Sequence, residues 1–472
     1  MSSTAEVDNS AVRWNELLNR NYLPILVTLC MALWLHATNS MLTATTMPSA
    51  VEEIGGLHLI SWTFALYLAG SITAAASMSI VVGRFGLRKT MMRAALIYTL
   101  GCIIIALAPN MPVLLIGRVF QGLGGGSMIA LVYVSQDRFF TNRLVPKVVA
   151  LHSMVWMLAA FSGPAIGGAF ATWGVWRWSF WFFALQGLML VPAIHYLMKK
   201  GERESDSKND RIPVFRISLL CGAILAFSLS GAYFHHLRSP VLIVLGCIAI
   251  IAFIYRDRVA VKGRILPLEV SRISHSIANG IATTFLLSIC IMSFLVYGPF
   301  ILIELYSMSP LEAGFVVLIE SLAWGSAAVM ISGISSDREP LVIRSGSAMV
   351  VFGLALIGIS FSAGHLWLVI VAIIILNGGM GMMWGFIIKR VIGAAPKKEK
   401  DRTASLLPIT QQTGFALGAA LSGLIANSLG IENLTLSGQL QNIVFWLFMG
   451  FIPLAMMGNW AAWRFVSTRL QD

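Results

Sequence analysis

The stretch MLAAFSGPAIGG, residues 157–168, lies inside a long apolar run and yet carries Pro164 and three glycines, Gly163, Gly167 and Gly168. In a helix surrounded by water these residues are costly, about 3 kcal/mol for Pro and about 1 for Gly relative to Ala. On a helix Ala159, Gly163 and Gly167 recur every fourth residue, as do Ala160, Pro164 and Gly168, so the stretch presents two adjacent ridges of small side chains. Between helices in lipid there is no hydrophobic drive, and close backbone approach over small residues supplies the packing. Pro164 removes one backbone hydrogen bond and allows a bend. The segment makes sense as a close-packed helix in a bilayer.

The rest of the chain fits that solvent. Of 472 residues, 57% are hydrophobic and 11% charged, against about 25% charged in soluble domains; the mean hydropathy is +0.80. The net charge of +12 does not point to nucleic acid, because the bases fall between apolar spans rather than on one polar face. The cysteines Cys30, Cys102, Cys221, Cys247 and Cys290 all fall within apolar spans, with no disulfide framework or metal spacing. Residues 1–21 precede a run too long for a signal-peptide core, which reads as a retained first helix.

A crossing needs roughly 20 apolar residues. Fourteen such spans are expected, at 22–45, 60–82, 91–109, 112–135, 147–171, 177–198, 214–235, 239–256, 276–303, 309–334, 341–361, 365–388, 403–428 and 441–464. Charge tests the count. With residues 1–21 and 465–472 both cytoplasmic, nearly all lysines and arginines fall in inner loops, leaving Arg118, Arg177 and Arg238 outside them. Removing one span would reverse every later loop. The expected fold is therefore an all-α membrane protein: six helices (22–198), a linker (199–213), an inserted pair (214–256), a second linker (257–275) and six more helices (276–464).

The two sets of six look related. SIVVGRFGLRK ends the second span with Ser79, Arg84 and Arg88, and the matching place in the second set reads GISSDREPLVIR, with Gly333, Asp337 and Arg338. Duplicated bundles with a site between them are a common transporter plan. With RVFQGLGGG (Arg118, Gln121, Gly122), WTFALYL (Trp62, Tyr67), SGPAIGG and WRWSFW, the chain resembles the major facilitator superfamily, and within it the fourteen-span drug:proton antiporters. The resemblance implies a proton-driven exporter in the cell membrane (bacterial inner membrane), a role for Arg118 in proton coupling, and a leak-sealing role for Gly163, Pro164, Gly167 and Gly168. It implies a cytoplasmic gate at Arg84, Arg88, Asp137, Asp337 and Arg338. It also implies that the first, fourth, seventh and tenth helices of the two sixes line the cavity. The first-half gate motif is degenerate, with Gly83 where an Asp is usual, and Asn39 stands where the first span often has an Asp.

Charges at mid-bilayer cost about 2.5–3.5 kcal/mol and need a reason. Glu320 lies 11 residues beyond Ser309, roughly 16 Å into its span at 1.5 Å per residue. A carboxyl at that depth either exchanges a proton near working pH or stays protonated in a hydrogen bond. Span one carries His36, Asn39, Thr43 and Thr46 in one polar stripe, which touches substrate or bonds neighbouring helices. Tyr67, Gln121, Tyr297, Asn377 and Trp384 complete the candidate cavity. No phosphate-binding loop, HExxH or GxSxG is present, which disfavours ATP-driven transport and membrane enzymes. The expected partners are a small-molecule substrate and the lipid bilayer, with no nucleic acid, no cofactor and no metal, and the protein is expected to be a monomer.

Overall fold

The computed structural model describes residues 14–17, 19–20, 22–141, 144–198, 214–232, 237–260, 276–335, 337–396, 400–433 and 437–467. Among them there is no strand. After one helical turn at Trp14–Leu17 the helices are α1 Leu23–Ile54, α2 Ile60–Phe85, α3 Leu87–Ala106, α4 Met111–Phe139, α5 Val145–Thr172, α6 Trp176–Leu197, α7 Val214–Ala232, α8 Arg238–Val259, α9 Ser276–Tyr306, α10 Pro310–Met330, α11 Glu339–Ser362, α12 Leu366–Gly393, α13 Lys400–Ser428, α14 Ser437–Met449 and α15 Ile452–Ser467. Thirteen spans are long and apolar enough to cross a membrane, α14 and α15 together forming one of them. The fourteenth expected span is α13, whose Lys400–Ser428 sequence is more polar. The two connections expected as linkers, 199–213 and most of 257–275, lie outside the described residues.

Two boundaries differ from expectation for local reasons. Helix α1 runs nine residues past the expected end at 45, carrying Pro48 inside it, and stops at Gly55 and Gly56, whose φ values of 71° and 86° suit glycine. The last crossing is broken between Met449 and Ile452, where Gly450 and the following Pro453 interrupt the ladder.

The packing partners repeat. In the first six, α1 packs on α5, α2 and α3 both pack on α4, and α3 packs on α6; in the second six, α9 packs on α13, α10 and α11 both pack on α12, and α11 packs on α14 and α15. The halves meet along two equivalent seams, α5 against α10 and α2 against α13. Helix α7 lies over the second seam, touching α2 and α13, while α8 packs on α7. Arg216 near the start of α7 and the fully buried Asp257 near the end of α8 close that pair with an ion pair of 2.6 Å.

Among the described residues the basic connections fall at one end of the bundle, the basic end. The opposite, base-poor end is where the halves join. There a Cβ on Gly168 of α5 would stand 2.8 Å from Leu311 Cα of α10, and one on Gly314 of α10 would stand 2.8 Å from the Pro164 carbonyl. The Leu311 amide donates to Thr172 Oγ1 at 3.1 Å. Along the other seam, Gly423 of α13 abuts Ser61 of α2. Toward the basic end, by contrast, Gly325 and Gly333 have no atom within 4 Å of where a Cβ would sit.

The two small-residue ridges of α5 therefore face different helices. Gly163 lies against Met41 and the Thr38 carbonyl, and Gly167 against Thr45 and the Leu42 carbonyl, all on α1; Ala159 on the same ridge is fully buried. Pro164 and Gly168 face α10, in the other half. The second half repeats the first ridge, with Gly414 against Phe285 and Ser288 and Gly418 against Ile289 and Met292 of α9.

Candidate functional site

The glycine run of α4 seats the first half's polar network. Gly122 and Gly126 let α4 touch the backbone of α2 at Tyr67 and Ser71, while Gly117 and Gly124 admit Ile105 and Tyr98 of α3. Any side chain at these positions would push the three helices apart. Arg118 and Gln121, between these contacts, are both fully buried.

Among the described residues, no carboxylate pairs with Arg118. Its Nε donates to the Thr63 carbonyl at 2.7 Å, and one Nη donates to Asn39 Oδ1 at 2.6 Å and to Gln121 Oε1 at 2.8 Å. Its guanidinium stacks 4.4 Å from the Tyr67 ring centre, a position where the ring's quadrupole favours a cation. The remaining Nη has no partner. Neutral acceptors and one π face thus hold a cation where the resemblance leads one to look for an acid. Asn39 is held in turn, its Nδ2 donating to the Tyr98 hydroxyl at 3.3 Å, which donates to the Leu35 carbonyl at 3.1 Å. Gln121 Nε2 donates to Cys102 Sγ at 3.0 Å. His36 Nδ1 lies 2.9 Å from the Tyr67 hydroxyl, with Trp156 edge-on to its ring at 6.1 Å.

The structure thus brings His36, Asn39, Tyr67, Arg118 and Gln121 together. Thr43 and Thr46, on the same stripe, donate instead to the carbonyls of Asn39 and Leu42 on their own helix. Sequence reasoning missed Thr63, Tyr98 and Cys102. Only Tyr98, a lone polar ring in an apolar helix, carried a signal. Arg118→Lys tests the network, because one ammonium cannot span acceptors arranged around a planar fork. Interhelical hydrogen bonds in bilayers average about 0.6 kcal/mol, and a charged donor raises that. The expected loss is about 1–3 kcal/mol in total, read as a lowered unfolding temperature of the purified protein.

Glu320 is the central residue of α10 (Pro310–Met330), ten residues from either end. The residue is half-buried, and its Oε2 is enclosed without a hydrogen-bond partner. It forms no contact with Arg118, whose partners are all in the first half. One turn on, Trp324 meets Trp384 of α12 edge to face at 6.5 Å. Asn377 of α12 is fully buried, donates to the Ile373 carbonyl at 3.2 Å, and leaves Oδ1 without a partner. Tyr297 of α9 is fully buried beside Gly423, nearer the base-poor seam.

At the basic end, Arg84 is exposed and Arg88 half-buried. The Asp137 side chain, like that of Ser79, lies outside the described residues. Asp337 and Arg338 are exposed. The tight charge cluster there is one residue further on: Glu339, 3% exposed, accepts from Lys389 at 2.6 Å and Arg390 at 3.1 Å, tying the start of α11 to the end of α12. The signal missed was the Lys389-Arg390 pair ending α12. At the base-poor end Glu53 of α1 accepts from the Trp176 indole at 2.6 Å and pairs with Arg177, bracing α1 against α6.

The family model described as Major Facilitator Superfamily matches residues 29–388. The chain belongs to that superfamily. It is 27% identical over 478 aligned positions to the Mycobacterium tuberculosis protein named "Probable multidrug-efflux transporter Rv1634", covering 98% of both chains. It is 23% identical to the "Multidrug efflux pump SdrM" of Staphylococcus aureus, over 84% of this chain and 88% of that one. Among solved structures it superposes on a D-xylose-proton symporter with a TM-score of 0.64 at 15% identity, covering 94% of this chain and 96% of that one. It superposes on the POT family transporter PepTSo with a TM-score of 0.66 at 14% identity, covering 96% and 99%. This major facilitator protein is thus a multi-pass membrane transporter, for which a small-molecule substrate and a surrounding bilayer follow.

Proposed function

We propose that this transporter exports hydrophobic or amphipathic small molecules in exchange for protons, by alternating access between its halves. The observation that carries the reading is Glu320, an acid at the centre of a membrane helix with an enclosed, unpartnered oxygen. An ionised carboxylate there would be costly without a counter-charge, so its proton is gained or lost as the surroundings change. Trp324, Trp384 and Trp156 offer aromatic surface near the two polar sites. The relatives' names support efflux as the direction. The excess of lysine and arginine sets the basic end, with both termini, in the cytoplasm, and the halves joined at the base-poor end then correspond to a state shut toward the outside. Arg118 serves as the fixed charge of the first half, and Arg84, Arg88, Asp137, Asp337 and Arg338 lie where a cytoplasmic gate would close. The protein works as a monomer in the bacterial inner membrane, with the proton gradient, and no cofactor, as its energy source.

Asn39 favours a second reading. A neutral amide beside Arg118 leaves that buried network without an exchangeable acid, as suits a facilitator of a metabolite, siderophore or lipid. Everted vesicles with and without a pH gradient separate the two: an exporter accumulates compound only with the gradient, whereas a facilitator equilibrates it equally in both conditions.

A further inference from the structure

Between α1 and α2 the chain makes a short turn, Leu57–Leu59, set by the positive-φ pair Gly55 and Gly56. His58 in that turn places Nδ1 2.7 Å from Glu432 Oε1. Glu432 belongs to the second half, in the Ile431–Asn433 turn that follows α13 and is anchored by the fully buried Ile431. Behind this contact Asn427 of α13 forks its amide, donating to the His58 carbonyl at 2.7 Å and to the Gly231 carbonyl of α7 at 2.8 Å. Gly231 makes the approach close: a Cβ there would stand 2.6 Å from Leu424 of α13. The Trp62 indole of α2 donates to the Ser228 carbonyl of α7 at 3.1 Å. First half, second half and inserted pair therefore meet in one polar knot at the base-poor mouth.

We propose that the His58–Glu432 contact, backed by the Asn427 fork and by the inserted helix pair, is a latch between the halves that tightens when His58 takes up a proton. Histidine is the side chain whose charge ordinarily changes between about pH 5 and 8. A neutral imidazole can donate one hydrogen bond to the carboxylate; a protonated one adds a full charge opposite it. The described base-poor ends of α2, α7 and α13 carry no charged side chain. Among the described residues, the charged groups at this mouth near His58 are Glu432, Arg238 at the start of α8, and Glu52 at the exposed end of α1. Glu53 is engaged by Arg177 and Trp176, and Glu312 by its own cap at Ser309. With the mouth shut as it is in this structure, Glu432 stands beside His58, so a protonated imidazole faces its counter-charge in that form, and acid favours the shut form. With the basic end in the cytoplasm, the acid side of the membrane would hold its own mouth closed.

The test is a distance measurement by electron paramagnetic resonance on the full chain in lipid nanodiscs. Spin labels are carried on non-canonical residues at Leu107 and Ala363, exposed at the base-poor ends of opposite halves, so that the native cysteines remain. All samples carry Glu320→Gln, so the outcome is independent of proton exchange at Glu320. Lowering the pH from 8 to 5.5 is expected to raise the ratio of short to long distances roughly two- to five-fold, the range of a partly exposed ion pair. His58→Gln and Glu432→Gln should each flatten that response. Two variants on opposite halves guard against one failing to fold. The latch is overturned if the parent shows no pH response, or if the response survives both substitutions.

Discussion

Glu320→Gln is expected to abolish proton-driven accumulation while leaving the protein folded and inserted. The amide keeps the size and polarity of the carboxyl and can hydrogen-bond at the same place, but it cannot release a proton. For one proton exchanged per molecule, each unit of pH gradient supports about a tenfold substrate gradient, equivalent to about 1.4 kcal/mol. The variant should lose that factor completely and let substrate come only to equilibrium. No ion pair depends on Glu320 among the described residues, so stability should hold or rise slightly. Reconstituted vesicles with an imposed pH step provide the measurement, and a thermal melt of the same sample checks folding. A variant that accumulates substrate as well as the parent would remove Glu320 from the coupling step.

The second large effect is a contrast between neighbours on α5. Gly167→Leu should destabilise the first half, because its side chain would run into Thr45 and the Leu42 carbonyl of α1. Overpacking of this kind costs about 1–3 kcal/mol, and more where backbone is the obstacle. Gly168→Leu meets the backbone of Pro310 and Leu311 across the seam. It should leave the first half intact and push the base-poor mouth open. A lowered unfolding temperature for Gly167→Leu, with a shifted labelling pattern at that mouth for Gly168→Leu, is the expected pair of results. Equal melts and equal labelling for both would refute the division of labour between the ridges.

That division was half legible in the sequence. The four-residue spacing of Gly163 with Gly167, and of Pro164 with Gly168, gives two ridges by helical geometry alone. Which ridge faces which helix depends on how α5 is rotated, and small residues carry no mark of that. The helix count was legible because a bilayer imposes a length and a composition on every crossing. Helix α13 was the least apolar of them, since α9, α2 and α7 pack around it and relax the demand. Within the site, Glu320 stood out because a lone acid in an apolar run has few reasons to be there. The Arg118 network did not stand out in full. Thr63 contributes a backbone carbonyl, which any residue type could supply. Glu339 was passed over for Asp337 because motif likeness singled out the Asp–Arg pair, while burial and the facing Lys389 and Arg390 are facts of three dimensions.

The inserted pair lies across only one of the two seams. Among the described residues, the twofold likeness of the halves accordingly stops at their outer skin: α7 covers one seam and no helix covers the other. A change in tail length or order therefore bears on the α5–α10 seam with no described helix interposed, while the α2–α13 seam is reached only past α7.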